Sequence, residues 1–200
     1  MAYTLKAPVS VSIKIQRSEF IAFLFPVEDA QAVQSILHQH QQDYSDATHN
    51  CYAYILGEDS QTQYYSDAGE PGGTAGKPIL NSLLRNELTG VLAIVTRYYG
   101  GIKLGVKGLI DAYTASTSMA IESAKLLPYQ NYQHYRIDVE YSCLDIIRHQ
   151  TQSLQGEEEK AEYGERALIT VKVPVSSAAQ FSELLDGYKG LGRLDYQMEE

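Results

Sequence analysis

Apolar and polar residues alternate along the first part of the chain with the two-residue period of β-strands. Residues 9–16 alternate in this way, and 19–27 form an apolar run that contains three phenylalanines. Between 28 and 42 the apolar residues recur every three or four positions instead, which predicts an amphipathic helix. Two tyrosine-rich runs, 50–56 and 61–66, follow on either side of a four-residue spacer. This arrangement predicts a β-hairpin.

The middle of the chain is organised around one uninterrupted apolar segment, 91–95, which predicts a buried strand. A helix is predicted before it, from Lys77-Pro78 to about residue 88, because proline is favoured in a first helical turn. A second helix is predicted over 109–127, where many small residues would allow close packing.

Pro128 and the polar run 129–133 predict a domain boundary, and the periodic pattern restarts after them. The predicted strands are 135–141, 157–163, 166–175 and 191–198, and the predicted helices are 143–155 and 176–188, the latter with Ser176 as its cap. The order βαββαβ is that of a ferredoxin-like domain. We therefore predict an α+β protein of two domains, 1–130 and 131–200.

Composition limits the functional classes. The 200 residues are 44% hydrophobic and contain no apolar run long enough for a membrane span and no secretory start, so we expect a cytoplasmic protein without a membrane partner. Cys51 and Cys143 lie far apart and indicate buried free thiols, with neither a disulfide framework nor a structural zinc site. The net charge of -9 argues against wholesale coating of nucleic acid.

One segment departs from this acidic character. No Asp or Glu occurs between residues 88 and 110, where Arg97, Lys103 and Lys107 lie near Tyr98 and Tyr99. The cations could pair with phosphates while a tyrosine stacks on a base. Alternatively, the aromatic residues flank a buried strand and close the core.

Two loops, 67–78 and 96–105, hold seven of the fifteen glycines. Residues 71–78 of the first loop are similar to a phosphate loop, but Pro71 replaces the first glycine and Pro78 the magnesium-binding Ser or Thr, which makes a nucleotide triphosphatase improbable. Backbone N–H groups before a helix remain, and they could hold an anion. The other interpretation is a tight connector in which glycine only satisfies the turn geometry.

The second loop runs into Gly105-Val106-Lys107-Gly108, which has the GxxG form with which KH domains clamp a nucleic-acid backbone. The short helices that flank this tetrapeptide in a KH domain are not predicted here. A turn that enters a helix is therefore the favoured interpretation.

Catalytic groups are less clearly indicated. Asp67 and Glu70 could act as an acid and base or bind a metal, but loop carboxylates more often cap turns or the following helix. His49 and Cys51 point to the same side of a strand without guaranteed contact. We predict no catalytic residue, no metal site and no cofactor.

Residues 65–78 together with 95–105 resemble the signature of the IMPACT family, of the bacterial YigZ type. The resemblance spans 7–124, and the tail is similar to that family's ferredoxin-like C-terminal domain. It implies an N-terminal β/α sandwich with the fold of a ribosomal-protein second domain, shared with elongation factor G domain IV, and a C-terminal domain similar to elongation factor G domain V. Eukaryotic relatives regulate translation initiation through an additional N-terminal domain, and that partnership is not expected to carry over.

The chain departs from the family pattern at three points. Val106 and Lys107 replace the middle pair of a usual Gly-Thr-Gly-Gly, Ala68 stands where a second aspartate is usual, and Glu19 stands where a basic residue is common. The missing aspartate weakens a metal site, while Lys107 adds a cation that could bind phosphate. The departures favour anion binding over metal catalysis.

The sequence thus predicts a non-enzymatic, translation-associated regulator that contacts structured RNA or a ribosome-bound partner through the glycine loops. The predicted anion-binding or nucleic-acid-binding residues are Gly72, Gly73, Thr74, Gly76, Lys77, Arg97, Tyr98, Tyr99, Gly100, Gly101, Lys103 and Lys107. One alternative is a hydrolase or other enzyme in which Asp67, Glu70, His49 and Arg97 converge on a small anionic substrate. A second alternative is a protein-interaction module.

Overall fold

A computed structural model describes residues 2–57 and 60–199. The chain divides into two compact units, Met1–Tyr129 and Gln130–Glu200. That 1–130 and 131–200 act as separate domains stays a prediction. None of the helices in the described residues is long and apolar enough to cross a membrane.

The first unit contains seven strands and three helices among its described residues. They are β1 (Tyr3–Leu5), β2 (Val9–Ile15), β3 (Ser18–Pro26), α1 (Ala30–Asp43), β4 (His49–Leu56), β5 (Thr62–Ser66), α2 (Gly76–Arg85), β6 (Val91–Tyr98), α3 (Gly105–Ser123) and β7 (Leu126–Pro128). The predicted strands, helix α1 and the β4–β5 hairpin are confirmed, and residues 58 and 59 of its turn lie outside the described part.

Five strands form one antiparallel sheet in the order β2-β3-β6-β4-β5. The central strand β6 is buried on both faces. Val91, Ala93 and Val95 pack in the core with α2 and α3, whereas Leu92 and Ile94 pack in the core with α1. The sheet is therefore a middle layer between helices, which explains why β6 is apolar without alternation.

Four boundary predictions in the first unit were wrong by three or four residues. Helix α2 ends at Arg85 and not near residue 88, and β6 continues to Tyr98, beyond the predicted end at residue 95. Helix α3 begins at Gly105, because Gly105–Gly108 forms its first turn, and it ends at Ser123. Glycine is a poor helix former, so local propensity placed the start four residues too late. The short strands β1 and β7, which pair with each other, were missed since three residues carry too little periodicity.

The second unit contains β8 (Tyr132–Val139), α4 (Tyr141–Ser153), β9 (Glu157–Tyr163), β10 (Ala167–Pro174), α5 (Val175–Gly190) and β11 (Leu194–Glu199). Its antiparallel sheet has the order β11-β8-β10-β9. This confirms the α+β class and the predicted βαββαβ order. Ser176 is not the helix cap, since α5 starts at Val175 after Pro174.

Candidate binding site

The two glycine loops meet at one end of the five-stranded sheet. Strand register places His49 opposite Arg97 and Glu19 opposite Tyr98, so β3 and β4 begin where β6 ends. Helices α2 and α3 both start from this end, after the loops 67–75 and 99–104. We call these two loops, together with the β2–β3 turn, the loop end.

In the first loop, the chain supplies its own anion. The Asp67 carboxylate accepts hydrogen bonds from the backbone N–H of Gly73 at 2.8 Å, of Ala75 at 3.0 Å and of Gly76 at 2.9 Å. It thereby caps the N-terminus of α2, which has no cap from its own N-cap residue. The interpretation of Asp67 as a cap is confirmed.

This capping corrects the anion-binding prediction for the first loop. The amides of Gly73 and Gly76 are already occupied and are not free for an external phosphate. Thr74 is buried, and its hydroxyl donates to the Pro71 carbonyl at 2.7 Å. Lys77 is exposed, and Gly72 has open space around it.

Steric fit explains two of the predicted glycines without a ligand. A Cβ on Gly76 would lie 2.7 Å from the backbone of Ser66, at the end of β5. A Cβ on Gly100 would overlap the carbonyl of Arg17 in the β2–β3 turn. Both glycines are therefore required by close approach of one backbone to another. Gly101 has a φ of 85° and an open surrounding, as expected for a turn.

Beneath the loops lies a buried ion pair. Arg97 Nη1 donates to Glu70 Oε1 at 2.6 Å, with 6% and 3% of the two side chains exposed. The same oxygen accepts the Tyr113 hydroxyl at 2.8 Å, and Arg97 Nη2 is 3.4 Å from Ser18 Oγ. Arg97 is thus not a surface cation for phosphate, which corrects its predicted role. Instead it joins the first loop to the end of β6.

The guanidinium of Arg97 also supports an exposed aromatic residue. It lies 5.4 Å from the centroid of the Tyr99 ring and 5.3 Å from that of Phe20, which are cation–π distances. Its Nε is buried and has no hydrogen-bond partner in the described residues. Tyr99 itself is 44% exposed. The buried cluster therefore holds one face of Tyr99 and leaves part of the ring to solvent.

The groups proposed for catalysis are close together but already engaged. His49 Nδ1 lies 2.9 Å from the Ala68 carbonyl, which can only accept, so this nitrogen carries the proton. His49 Nε2 lies 3.9 Å from Glu70 Oε2. Glu70 is held by Arg97 and Tyr113, as described above, while Asp67 is held by loop amides. Within the described residues, no group of three or more His, Cys, Asp or Glu side chains could hold a metal ion.

Burial also suppresses the acidity of the nearby nucleophiles. It raises the pKa of Cys51 to about 12, so the thiolate that nucleophilic chemistry needs is scarce at neutral pH. It likewise raises the pKa of Tyr113. The Cys51 thiol donates to the Asp67 carbonyl at 2.9 Å. These groups brace the loop, and their arrangement provides no activated nucleophile.

The second loop presents the exposed charges. Lys103 and Lys107 are exposed, and neither has an ion-pair partner in the described part of the chain. They lie on either side of the first residue of α3, and in the described residues no side chain accepts a hydrogen bond from the backbone N–H groups at the start of α3. The Tyr98 hydroxyl, by contrast, is already engaged, because it donates a hydrogen bond to Asp46 at 2.9 Å.

Sequence reasoning missed three residues of the site. Tyr113 and Ser18 contact the buried ion pair from elements far away in sequence, and no local pattern indicates such contacts. Arg17 adds an exposed cation at the loop end, next to Gly100. The sequence did indicate that Arg17 is exposed, because it lies in a two-residue turn between two predicted strands.

Comparison with known proteins gives consistent matches. The Impact N-terminal domain matches residues 16–121. The IMPACT family member YigZ of Escherichia coli is 34% identical over 90% of this chain and 89% of its own, and YvyE of Bacillus subtilis is 34% identical over 90% and 83%. A crystal structure described as that of a hypothetical protein superposes with a TM-score of 0.69 at 31% identity, over 98% of this chain and 95% of the other. Together these matches show that the chain belongs to the IMPACT family.

Proposed function

We propose that the protein is a non-enzymatic, translation-associated regulator that binds structured RNA at the second glycine loop and the N-terminus of α3. The link to translation rests on the family, whose eukaryotic members regulate translation initiation. The observation that carries the proposal is a contrast between two helices. Asp67 accepts hydrogen bonds from the α2 amides, whereas no side chain in the described part of the chain accepts from the first amides of α3, which lie between Lys103 and Lys107.

Such a helix end suits a phosphate group. The aligned peptide dipoles place a partial positive charge there, and the first N–H groups have no intrahelical acceptor. Lys107 lies in the first turn of α3, and Lys103 comes two residues before its start. A phosphate could therefore accept from backbone amides while both ammonium groups balance its charge.

Tyr99 supplies the second kind of contact. Its ring is partly exposed, and the Arg97 guanidinium near it is fixed by Glu70. A base stacked on a tyrosine is worth about 1–3 kcal/mol and needs little sequence specificity. We therefore expect a structured RNA with an unpaired base beside the bound phosphate.

The second unit gives less support for phosphate binding. Its residues from 135 to 200 carry seven Lys and Arg against thirteen Asp and Glu. Most of its cations are paired with carboxylates, as in Arg148–Glu158, Lys160–Glu162, Lys172–Glu157, Arg166–Asp138, Lys189–Asp195 and Arg193–Glu140. The proposal therefore places RNA on the first unit.

An enzymatic role has weaker support. The groups that it would use are engaged with one another or with backbone, and the pKa of Cys51 is raised. A ribosome-bound protein partner is the competing outcome, and the test below distinguishes it from RNA.

The test compares charge reversal at the site with the same change elsewhere. The double variant Lys103→Glu/Lys107→Glu should weaken binding of a structured ribosomal RNA fragment at least about tenfold in fluorescence anisotropy. Its salt dependence between about 50 and 200 mM should become shallower by roughly 1.5 in log–log slope, since each lost phosphate contact removes about 0.7–0.9.

Lys6→Glu/Lys125→Glu is the matched control. Both lysines are exposed, and Lys125 follows the far end of α3, about 24 Å along the helix from Lys107. Equal loss in the control would mean that net charge, not this site, drives binding. Unchanged affinity in the site variant would refute the proposal. A contact in lysate that survives ribonuclease but is lost in the site variant would point to a protein partner at this site instead.

A further inference from the structure

A groove of about 620 Å³ runs between α2 and α3, lined by residues that play no part in the buried cluster. Lys77 and Arg85 line it from α2, and Asp111 lines it from α3. All three side chains are exposed and have no ion-pair partner in the described residues. The groove therefore carries two unpaired cations on one wall and one unpaired carboxylate on the other.

The spacing of the cations follows from the helix. Lys77 and Arg85 are eight residues apart on α2, which puts their Cα atoms about 12 Å apart along the axis. This is just over two helical turns. A partner helix lying along the groove could pair with both cations if it carried two acidic residues seven or eight positions apart.

The part of the groove between these charges has both apolar and polar surface. Pro78, Ile110 and Ala115 contribute the apolar part, with Ile110 37% exposed, and Asn81 and Thr114 contribute polar side chains. The Ser82 hydroxyl is already donated to the Pro78 carbonyl at 2.9 Å, so it is not a free donor. The apolar part of this surface gains free energy by burying an apolar side chain of a partner.

We propose that this groove binds an amphipathic helix of a partner protein, with two acidic residues about two turns apart, an apolar residue between them and a basic residue on its other edge. The charge pattern selects this occupant over RNA, because Asp111 would repel a phosphate backbone while pairing with the basic residue. The apolar part of the lining, at Pro78, Ile110 and Ala115, fits the helix-in-groove mode of recognition. This surface differs from the proposed RNA site, so either proposal can fail alone.

The test uses three labelled synthetic peptides of about 14 residues with helix-favouring sequences. The first carries the acidic pattern described above, the second has every charge reversed, and the third is a scramble of the first. Anisotropy titrations against the full chain should show binding of the acidic peptide at least about tenfold tighter than of the other two.

A charge swap keeps the test decisive. Lys77→Glu/Arg85→Glu/Asp111→Lys reverses all three groove charges, so it should lose the acidic peptide and gain the charge-reversed peptide, which a misfolded variant could not do. Lys6→Glu/Lys125→Glu should bind all three peptides as the unchanged protein does. Absence of acidic-peptide binding, or binding that ignores the swap, would overturn the proposal. If the groove variant loses RNA binding while its peptide binding is unchanged, the groove binds RNA, and the partner-helix proposal is overturned equally.

Discussion

The internal capping of α2 makes a quantitative prediction about stability. Replacing Asp67 with alanine removes the acceptor of three backbone N–H groups at once. Ala75 and Gly76 are buried, so their amides cannot simply turn to water. The backbone carbonyl of Asp67, which accepts the Cys51 thiol, is unaffected by the substitution.

The expected cost can be worked from these contacts. A hydrogen bond to a charged group contributes about 1.5–3 kcal/mol, but three bonds to one carboxylate are not additive. Because Asp67 is only half-buried, water can replace part of the loss. We expect Asp67→Ala to lower the free energy of unfolding by about 3–4 kcal/mol and Asp67→Asn by about 2 kcal/mol, since asparagine keeps one acceptor oxygen. Against a typical total of about 5–15 kcal/mol, either loss is large.

Urea unfolding followed by circular dichroism measures both variants. Asp111→Ala is the control, because Asp111 is exposed and has no ion-pair partner among the residues that the structure describes. Its removal should change stability by no more than about 0.5 kcal/mol. A loss below about 1 kcal/mol for Asp67→Ala would mean that the carboxylate does not organise the loop. The α2 amides would then be open to an external anion after all.

Three other predictions test the supporting structure. Arg97→Met should lower the free energy of unfolding by about 3–5 kcal/mol, because it leaves the Glu70 carboxylate buried and uncompensated. The double variant Arg97→Met/Glu70→Leu should lose less free energy of unfolding than the sum of the two single variants. Gly100→Ala should lower the melting temperature sharply because its Cβ meets backbone, whereas Gly72→Ala, which meets nothing within 4 Å, should leave it nearly unchanged. Burial lowers the pKa of His40 below 6.5, so the unfolded chain binds the extra proton and stability should fall as the pH drops below about 6.5; His40→Gln should flatten this dependence of the urea midpoint.

Elements with strong local patterns were predictable from the sequence. The unbroken apolar run in β6 predicted a strand covered on both faces, and the structure packs Leu92 and Val95 into different cores. The order of elements after Pro128 predicted the second sheet. These features depend only on residues close together in the chain, which is where periodicity carries information.

The chemistry of the site was less predictable because it depends on pairing across the fold. Glycine density correctly singled out both loops but could not show that Asp67 fills the amides of one and not of the other. In the sequence, Arg97 belongs to a segment without Asp or Glu, but in the structure it pairs with Glu70, which lies 27 residues away. Only the strand register brings them together, so charge along the sequence overestimated the exposed positive charge.

The central claim is that the two helix N-termini differ, with α3 open to an anion and α2 already filled. Amide chemical shifts recorded by NMR while a structured RNA hairpin is added would test it directly. We predict that the amides of Gly105, Val106 and Lys107 shift with RNA concentration and that those of Gly73 and Gly76 stay in place. Shifts confined to Gly73 and Gly76, or no shift at α3 under binding conditions, would contradict the account.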